Sequence, residues 1–130
     1  MAAPHDYVLV IDDDADLRES IGAALTAAGF AFDTASDGVD ALRRLRGGTQ
    51  PCVVLLDLMM PRMSGFEVRS AMKADPALAS IPVVVVTGAG PLADRHAAAL
   101  EAQILRKPVQ LRDLLDAVTR HCRGHLAPAQ

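Results

Sequence analysis

Asp12 and Asp13 in IDDDADLR, Asp57 in VVLLDLMMPRMSG, Thr87 in VVVVTGA and Lys107 in LRKPV are the side chains of this sequence best placed to do chemistry. Each stands just past a short apolar run: Tyr7–Ile11, Cys52–Leu56, Pro82–Val86 or the weaker Ile104–Leu105. Runs of that length suit strands buried on both faces, and such strands carry whatever follows them to their carboxyl ends. Taken singly, these residues have plain uses. Asp13 or Asp14 can cap a helix opening near Ala15, Asp57 can open a turn, Thr87 suits strand geometry, and Lys107 can be a solvated charge before Pro108. Taken together, they bring acids, a hydroxyl and an amine to one edge.

Crowding gives that edge its chemistry. If the strands ending at Asp12 and Asp57 are neighbours, their carboxylates converge. Two like charges about 4 Å apart repel by roughly 1 kcal/mol in water and about 4 kcal/mol at an effective dielectric of 20. A divalent cation and one lysine compensate directly. Magnesium favours such a donor set, taking one or two carboxylates, several waters and a phosphate oxygen. The thiol and imidazole ligands that zinc prefers are missing from this group.

The elements that must position these residues alternate along the chain. Leu17, Ile21 and Leu25 recur at helical spacing, and Gly29 closes that helix with a left-handed cap. A second helix is expected from Gly38 to about Arg46, with Asp37 as N-cap and Gly47-Gly48 as its end. A third begins near Ser64 and carries Phe66, Val68 and Met72, and a fourth lies between Pro91 and Glu101. The last carries Leu111, Leu114, Leu115 and Val118. With a weaker strand near Ala31–Ala35, these make five β–α units. The expected fold is α/β, a doubly wound five-stranded parallel sheet with helices on both faces. Ligand sites in such sheets gather outside the carboxyl ends of the strands.

Composition narrows the classes. The 130 residues suit one domain, with a core near 7–122 and a frayed tail at 124–130. A net charge of −3 offers no general attraction to nucleic acid or to an anionic membrane, and no apolar run is long enough to span one. Arg43, Arg44 and Arg46 read as a solvated helix end. Cys52 and Cys122 are too few for a disulfide framework, and Cys52 is expected to pack as a small apolar residue in a reducing cytoplasm. His121, Cys122 and His125 lack a fourth ligand and read as helix-end residues near the C-terminal dipole.

In that order, IDDDADLR, LLDLMMPRMSG, VVVVTGA and LRKPV resemble the receiver domain of bacterial two-component response regulators, over roughly residues 7 to 122. The resemblance implies a flavodoxin-like sheet of strand order 2-1-3-4-5. It implies that Asp57 is the phosphoacceptor, served by a sensor histidine kinase or a histidine phosphotransfer protein. Asp12, Asp13, Asp57 and the backbone carbonyl of Met59 would hold Mg²⁺, directly or through water. Lys107 and Thr87 would bind the phosphoryl oxygens, Gly88 would leave room for them, and Lys107-Pro108 would be cis. Such a domain is a cytoplasmic signalling acceptor rather than an enzyme with an outside substrate. It acts on a downstream protein without direct nucleic-acid or membrane contact. The face made by the fourth helix, fifth strand and fifth helix can also form a homodimer.

Two features depart from the family pattern. Ile104 stands where the family usually places Tyr or Phe, and LEAQILRKP is shortened by a few residues between the fourth helix and the fifth strand. Both fall on the usual output face. A haloacid-dehalogenase-type phosphatase would use Asp12 as nucleophile but leaves Asp57 without a role. A flavodoxin proper would want a hydroxyl- and glycine-rich phosphate loop where Asp12-Asp13-Asp14 stands.

Overall fold

The computed structural model describes residues 7–48, 50–88, 90–91, 95–96 and 100–122. Strands β1 (Tyr7–Ile11), β2 (Ala31–Ala35), β3 (Val53–Leu56), β4 (Val83–Thr87) and β5 (Gln103–Arg106) form one sheet in the order β2-β1-β3-β4-β5. Every neighbouring pair is parallel. This is the doubly wound order expected above. Ile11 pairs with Leu56 and Leu56 with Val85, so β1 and β3 end level while β4 runs on past them to Thr87.

The central strands are apolar on both sides because both sides are covered. Leu9, Ile11, Val54, Leu56 and Val85 face a core completed by Leu42 and Leu45 on one helix and Val68 and Met72 on another. Their sequence neighbours Val8, Val10, Val53, Leu55 and Val84 face the opposite core, with Ile21, Leu25, Leu114 and Val118. The switch of face at every residue is the period-two alternation of a strand.

Each helix begins where its cap stands. Helix α1 (Ala15–Ala27) is capped by Asp14, whose side chain accepts from the Leu17 N–H, and Gly29 follows its end with φ of 88°. That assigns the cap to Asp14 and leaves Asp12 and Asp13 for other work. Helix α2 (Gly38–Gly47) is capped by Asp37. Helix α3 (Gly65–Ala74) opens with a reciprocal Ser64–Glu67 capping box. The C-terminal helix (Leu111–His121) buries Leu114, Ala117 and Val118 but leaves Leu111 exposed. Most of the helix expected between Pro91 and Glu101, like the tail 124–130 and His125, lies outside the described residues. No helix among the described residues is long and apolar enough to cross a membrane.

One expectation is corrected. Cys52 is not an unpaired packing residue: it is joined to Cys122 by a disulfide, with the Cα atoms 5.4 Å apart. Cys52 immediately precedes β3, and the C-terminal helix ends against the same amino edge of the sheet. Only the return path of that helix brings together two residues 70 positions apart. On chain-entropy grounds, a cross-link closing a loop of about 70 residues contributes roughly 4 kcal/mol. Urea unfolding with and without dithiothreitol should therefore give a clearly lower midpoint under reduction. Identical midpoints, or a Cys122→Ser variant as stable as the oxidised protein, would show that the pair adds no cross-link.

Candidate functional site

The register of β1 and β3 sets the site. Because Ile11 and Leu56 are partners, the next residues, Asp12 and Asp57, emerge side by side, and the Asp57 N–H donates to the Ile11 carbonyl at 3.0 Å. Both acids are buried, 3 % and 4 % exposed. Asp13 is exposed at the rim, and one oxygen from each of Asp12, Asp13 and Asp57 falls within 4.8 Å of the others. Three hard oxygen donors that close, with no thiolate or imidazole among them, fit a hard divalent cation such as Mg²⁺.

Lys107 arrives from the far side of β4. Strands in a sheet lie about 4.8 Å apart, so β5 stands roughly 10 Å from β3, a gap that needs a long side chain. The Lys107 Nζ lies 2.8 Å from Asp12 Oδ2 and 3.4 Å from Asp57 Oδ2. Its backbone N–H donates to the Thr87 carbonyl, and a cis bond joins it to Pro108. Thr87 is fully buried at the end of β4. A side chain at Gly88 would meet nothing closer than the Lys107 Cβ at 3.9 Å, so the rim beside the lysine is open.

Electrostatics matches this crowding. Burial, then the neighbouring Asp12 charge, raises the Asp57 carboxyl above the usual range, against the opposing pull of Lys107 and the Met59 N–H. Burial disfavours the Lys107 ammonium, but hydrogen bonding to Asp12 and the charge of Asp57 outweigh it, and its pKa is raised. The other Asp57 oxygen, Oδ1, accepts from the Met59 N–H at 3.3 Å. Asp12 Oδ1 accepts from the Asp14 N–H at 2.9 Å. The Met59 side chain is exposed.

Arg18 and Arg62, which shape the site, were not singled out from the sequence. Arg18 donates from Nη1 to the Asp12 carbonyl at 2.7 Å, tying α1 to the acid loop. Its position one turn inside a helix that starts beside the acids is the only signal it gave. Arg62 holds φ of 67° and pairs with Asp37 at 2.5 Å, which fastens the loop after Asp57 to the start of α2. A Cβ at Gly65 would stand 2.2 Å from the Asp57 carbonyl oxygen, so only glycine lets α3 start this close to the acid. Ile104 is half-buried and packs against the core on the α2–α3 side of the sheet.

The chain is similar to known proteins over nearly its whole length. The family model for the response regulator receiver domain matches residues 8–119. Protein PilG of Pseudomonas aeruginosa is 33% identical over 116 residues, which cover 88% of this chain and 85% of that protein. Response regulator MprA of a Mycobacterium species is 37% identical over 111 residues, 83% of this chain but only 46% of MprA. Chemotaxis protein CheY4 of Vibrio cholerae superposes with a TM-score of 0.80 at 28% identity, covering 90% of this chain and 98% of its own. A response regulator receiver protein from Pseudomonas putida gives 0.83 at 28% identity, over 92% and 99%.

The raised Asp57 carboxyl has a stability consequence with a definite sign. The folded state holds this proton more tightly than the unfolded chain, so the associated stability is present at low pH and is lost as pH rises through the raised value. Asp57→Asn removes that loss. At neutral pH and without metal, the variant should be more stable than the parent by about 1 kcal/mol, and the gap should close below about pH 4. Added Mg²⁺ should raise the parent's melting temperature more than the variant's. Superimposable pH–stability curves for the two proteins would contradict this account.

Proposed function

The chain belongs to the response regulator receiver family, and from that premise we propose that Asp57 accepts a phosphoryl group from a phosphohistidine in a Mg²⁺-dependent transfer. The observation that carries this reading is the meeting of Asp12, Asp57 and Lys107 at neighbouring strand ends, with Asp13 at the rim. The donor is a sensor histidine kinase or a histidine phosphotransfer protein. One Asp57 oxygen forms a bond to phosphorus as the phosphorus–nitrogen bond breaks, and the imidazole departs with that electron pair. The product is an acyl phosphate. Although the Asp57 pKa is raised, a carboxylate near neutral pH needs no general base, so the chain's task is positioning and charge compensation.

Lys107 supplies a fixed positive charge over the reacting oxygens, and the open rim at Gly88 admits them. Asp12, Asp13, Asp57 and the Met59 carbonyl would hold Mg²⁺, which would supply positive charge to offset that developing on the phosphoryl oxygens. Arg18 and the Arg62–Asp37 pair hold the loops that carry these ligands. The acceptor chemistry is self-catalysed, and the chain is a signalling domain working in the cytoplasm. There the reducing poise would favour the dithiol form of Cys52 and Cys122.

The phosphoryl group adds negative charge and new acceptor oxygens beside Thr87, whose hydroxyl turns toward them. Because Ile104 offers no ring to swing, the change passes through backbone movement after Gly88 rather than through an aromatic rotamer. The readout face, formed by the 91–101 segment, β5 and the C-terminal helix, meets a downstream protein or a second copy of the chain.

Acetyl phosphate with Mg²⁺, followed by phosphopeptide mapping, should place the label on Asp57. Asp57→Asn should abolish it, and Lys107→Ala should slow it by about 100-fold. Label on Asp12, or Mg²⁺-independent label, would overturn the reading. Met59, exposed beside the acceptor, should hinder attacking water, so Met59→Asn should shorten the life of the phosphoryl bond. An unchanged decay rate would remove that role.

A further inference from the structure

Cys52 and Cys122 stand apart from everything the Asp57 pocket uses. Cys52 leads into β3, and Cys122 follows the last residue of the C-terminal helix. Their Cα atoms are 5.4 Å apart, inside the roughly 4.4–6.8 Å span that a disulfide bridges without backbone movement. Both backbones are pinned independently of the sulfurs. The Cys52 N–H donates to the Tyr7 carbonyl and the Cys122 N–H to the Val118 carbonyl, each at 2.8 Å. The two side chains therefore stay within reach of each other when the bond is open.

The surroundings accommodate both redox states. Cys52 Sγ lies 3.1 Å from the Tyr7 carbonyl oxygen, so a reduced thiol can donate there without leaving its place. Cys122 is 4 % exposed and belongs to the core that α1 and the C-terminal helix cover, where a thiol packs as a small hydrophobe. Cys52 is only partly buried, so solvent reaches it first. The bond matters because the C-terminal helix is lightly held. Of its 11 residues only Leu114, Ala117 and Val118 are buried, and its N-cap Gln110 makes no side-chain cap bond. Thr119, Arg120 and His121 are exposed, so past Val118 the next residue to grip the sheet is Cys122. Cys52 and Asp57 flank opposite ends of β3, about 16 Å apart at strand rise, which keeps the pair clear of the acid pocket.

We propose that Cys52 and Cys122 form a reversible thiol–disulfide site, oxidised by a low-molecular-weight disulfide and reduced by a small thiol. Its state decides whether the last turn of the C-terminal helix is fastened to the sheet. In oxidation the Cys52 thiolate, the more accessible, attacks one sulfur of the small disulfide, whose S–S bond breaks as one small thiolate leaves. The Cys122 thiolate then attacks Cys52 Sγ, and the mixed disulfide breaks as the second small thiolate leaves. The two leaving thiolates take up the two protons that the protein thiols release. Two protein sulfurs are oxidised and two small-molecule sulfurs reduced, and reduction retraces the same steps. The Asp57 pocket keeps its geometry in both states.

The probe is the glutathione couple, mixed at varied ratios with the full folded chain, with free thiols alkylated after an acid quench and counted by mass. The chain should pass reversibly between the disulfide and a form with both thiols free. Mixed disulfide with glutathione should form about tenfold faster in Cys122→Ser than in Cys52→Ser, because only Cys52 is open to solvent. The unsubstituted chain gives a second readout that needs no variant to fold. On reduction, the amide order parameters of Arg120, His121 and Cys122 should fall from about 0.85 to below about 0.6. The amide shifts of Asp12 and Asp57 should stay in place. Failure of glutathione disulfide to oxidise the folded chain, equal mixed-disulfide rates in the two variants, order parameters unchanged by reduction, or shifts that move at Asp57 would each overturn the proposal.

Discussion

The contact of one lysine with two buried aspartates is the constraint on which the rest of this structure depends. Asp12 and Asp57 are forced together by strand register, and Lys107 answers them from across β4. Each carboxylate left alone would be costly in so closed a place, and together they repel. One lysine offsets part of that charge and leaves the site still acidic, which burial and Asp12 register as a raised Asp57 carboxyl. A pocket in that condition favours a divalent cation or a group that carries one.

The sheet holds this arrangement because its two cores are independent supports. One packs β1, β3 and β4 against α2 and α3, and the other packs the same strands against α1 and the C-terminal helix. The strand ends therefore have little freedom to move apart. The loops have more, and specific contacts restrain them. Arg18 holds the acid loop, Gly65 brings α3 against the Asp57 backbone, and Arg62 ties the loop after Asp57 to Asp37. Positive φ at Arg62 is a conformation few side chains favour, and the ion pair on the same residue helps to hold it there.

Local signals were legible wherever a residue acts on its own neighbours. The apolar runs of β1, β3 and β4, the Asp37 cap and the Gly29 terminator all state their roles within a few positions. Ambiguity remained at Asp13 and Asp14 because either can cap a helix, and only the Leu17 N–H contact separates them. Cys52, Arg62 and Arg69 were opaque for the opposite reason. Cys52 meets a residue 70 positions away, Arg62 a carboxylate on another loop, and Arg69 the carbonyls of Leu100 and Glu101. No spacing rule reports contacts of that kind.

By itself the sequence determined the alternation of strands and helices, their caps, and which side chains would stand at the carboxyl ends of the strands. Those properties follow from hydrophobic period and from short-range hydrogen bonding, which act along the chain. Tertiary structure alone decided that Lys107 reaches two carboxylates across an intervening strand, that Cys52 pairs with Cys122, and that the Arg69 guanidinium is buried against the Leu100 and Glu101 carbonyls. Each depends on how far apart elements lie once packed. That distance is set by the sum of all the packing, and no single stretch of residues encodes it.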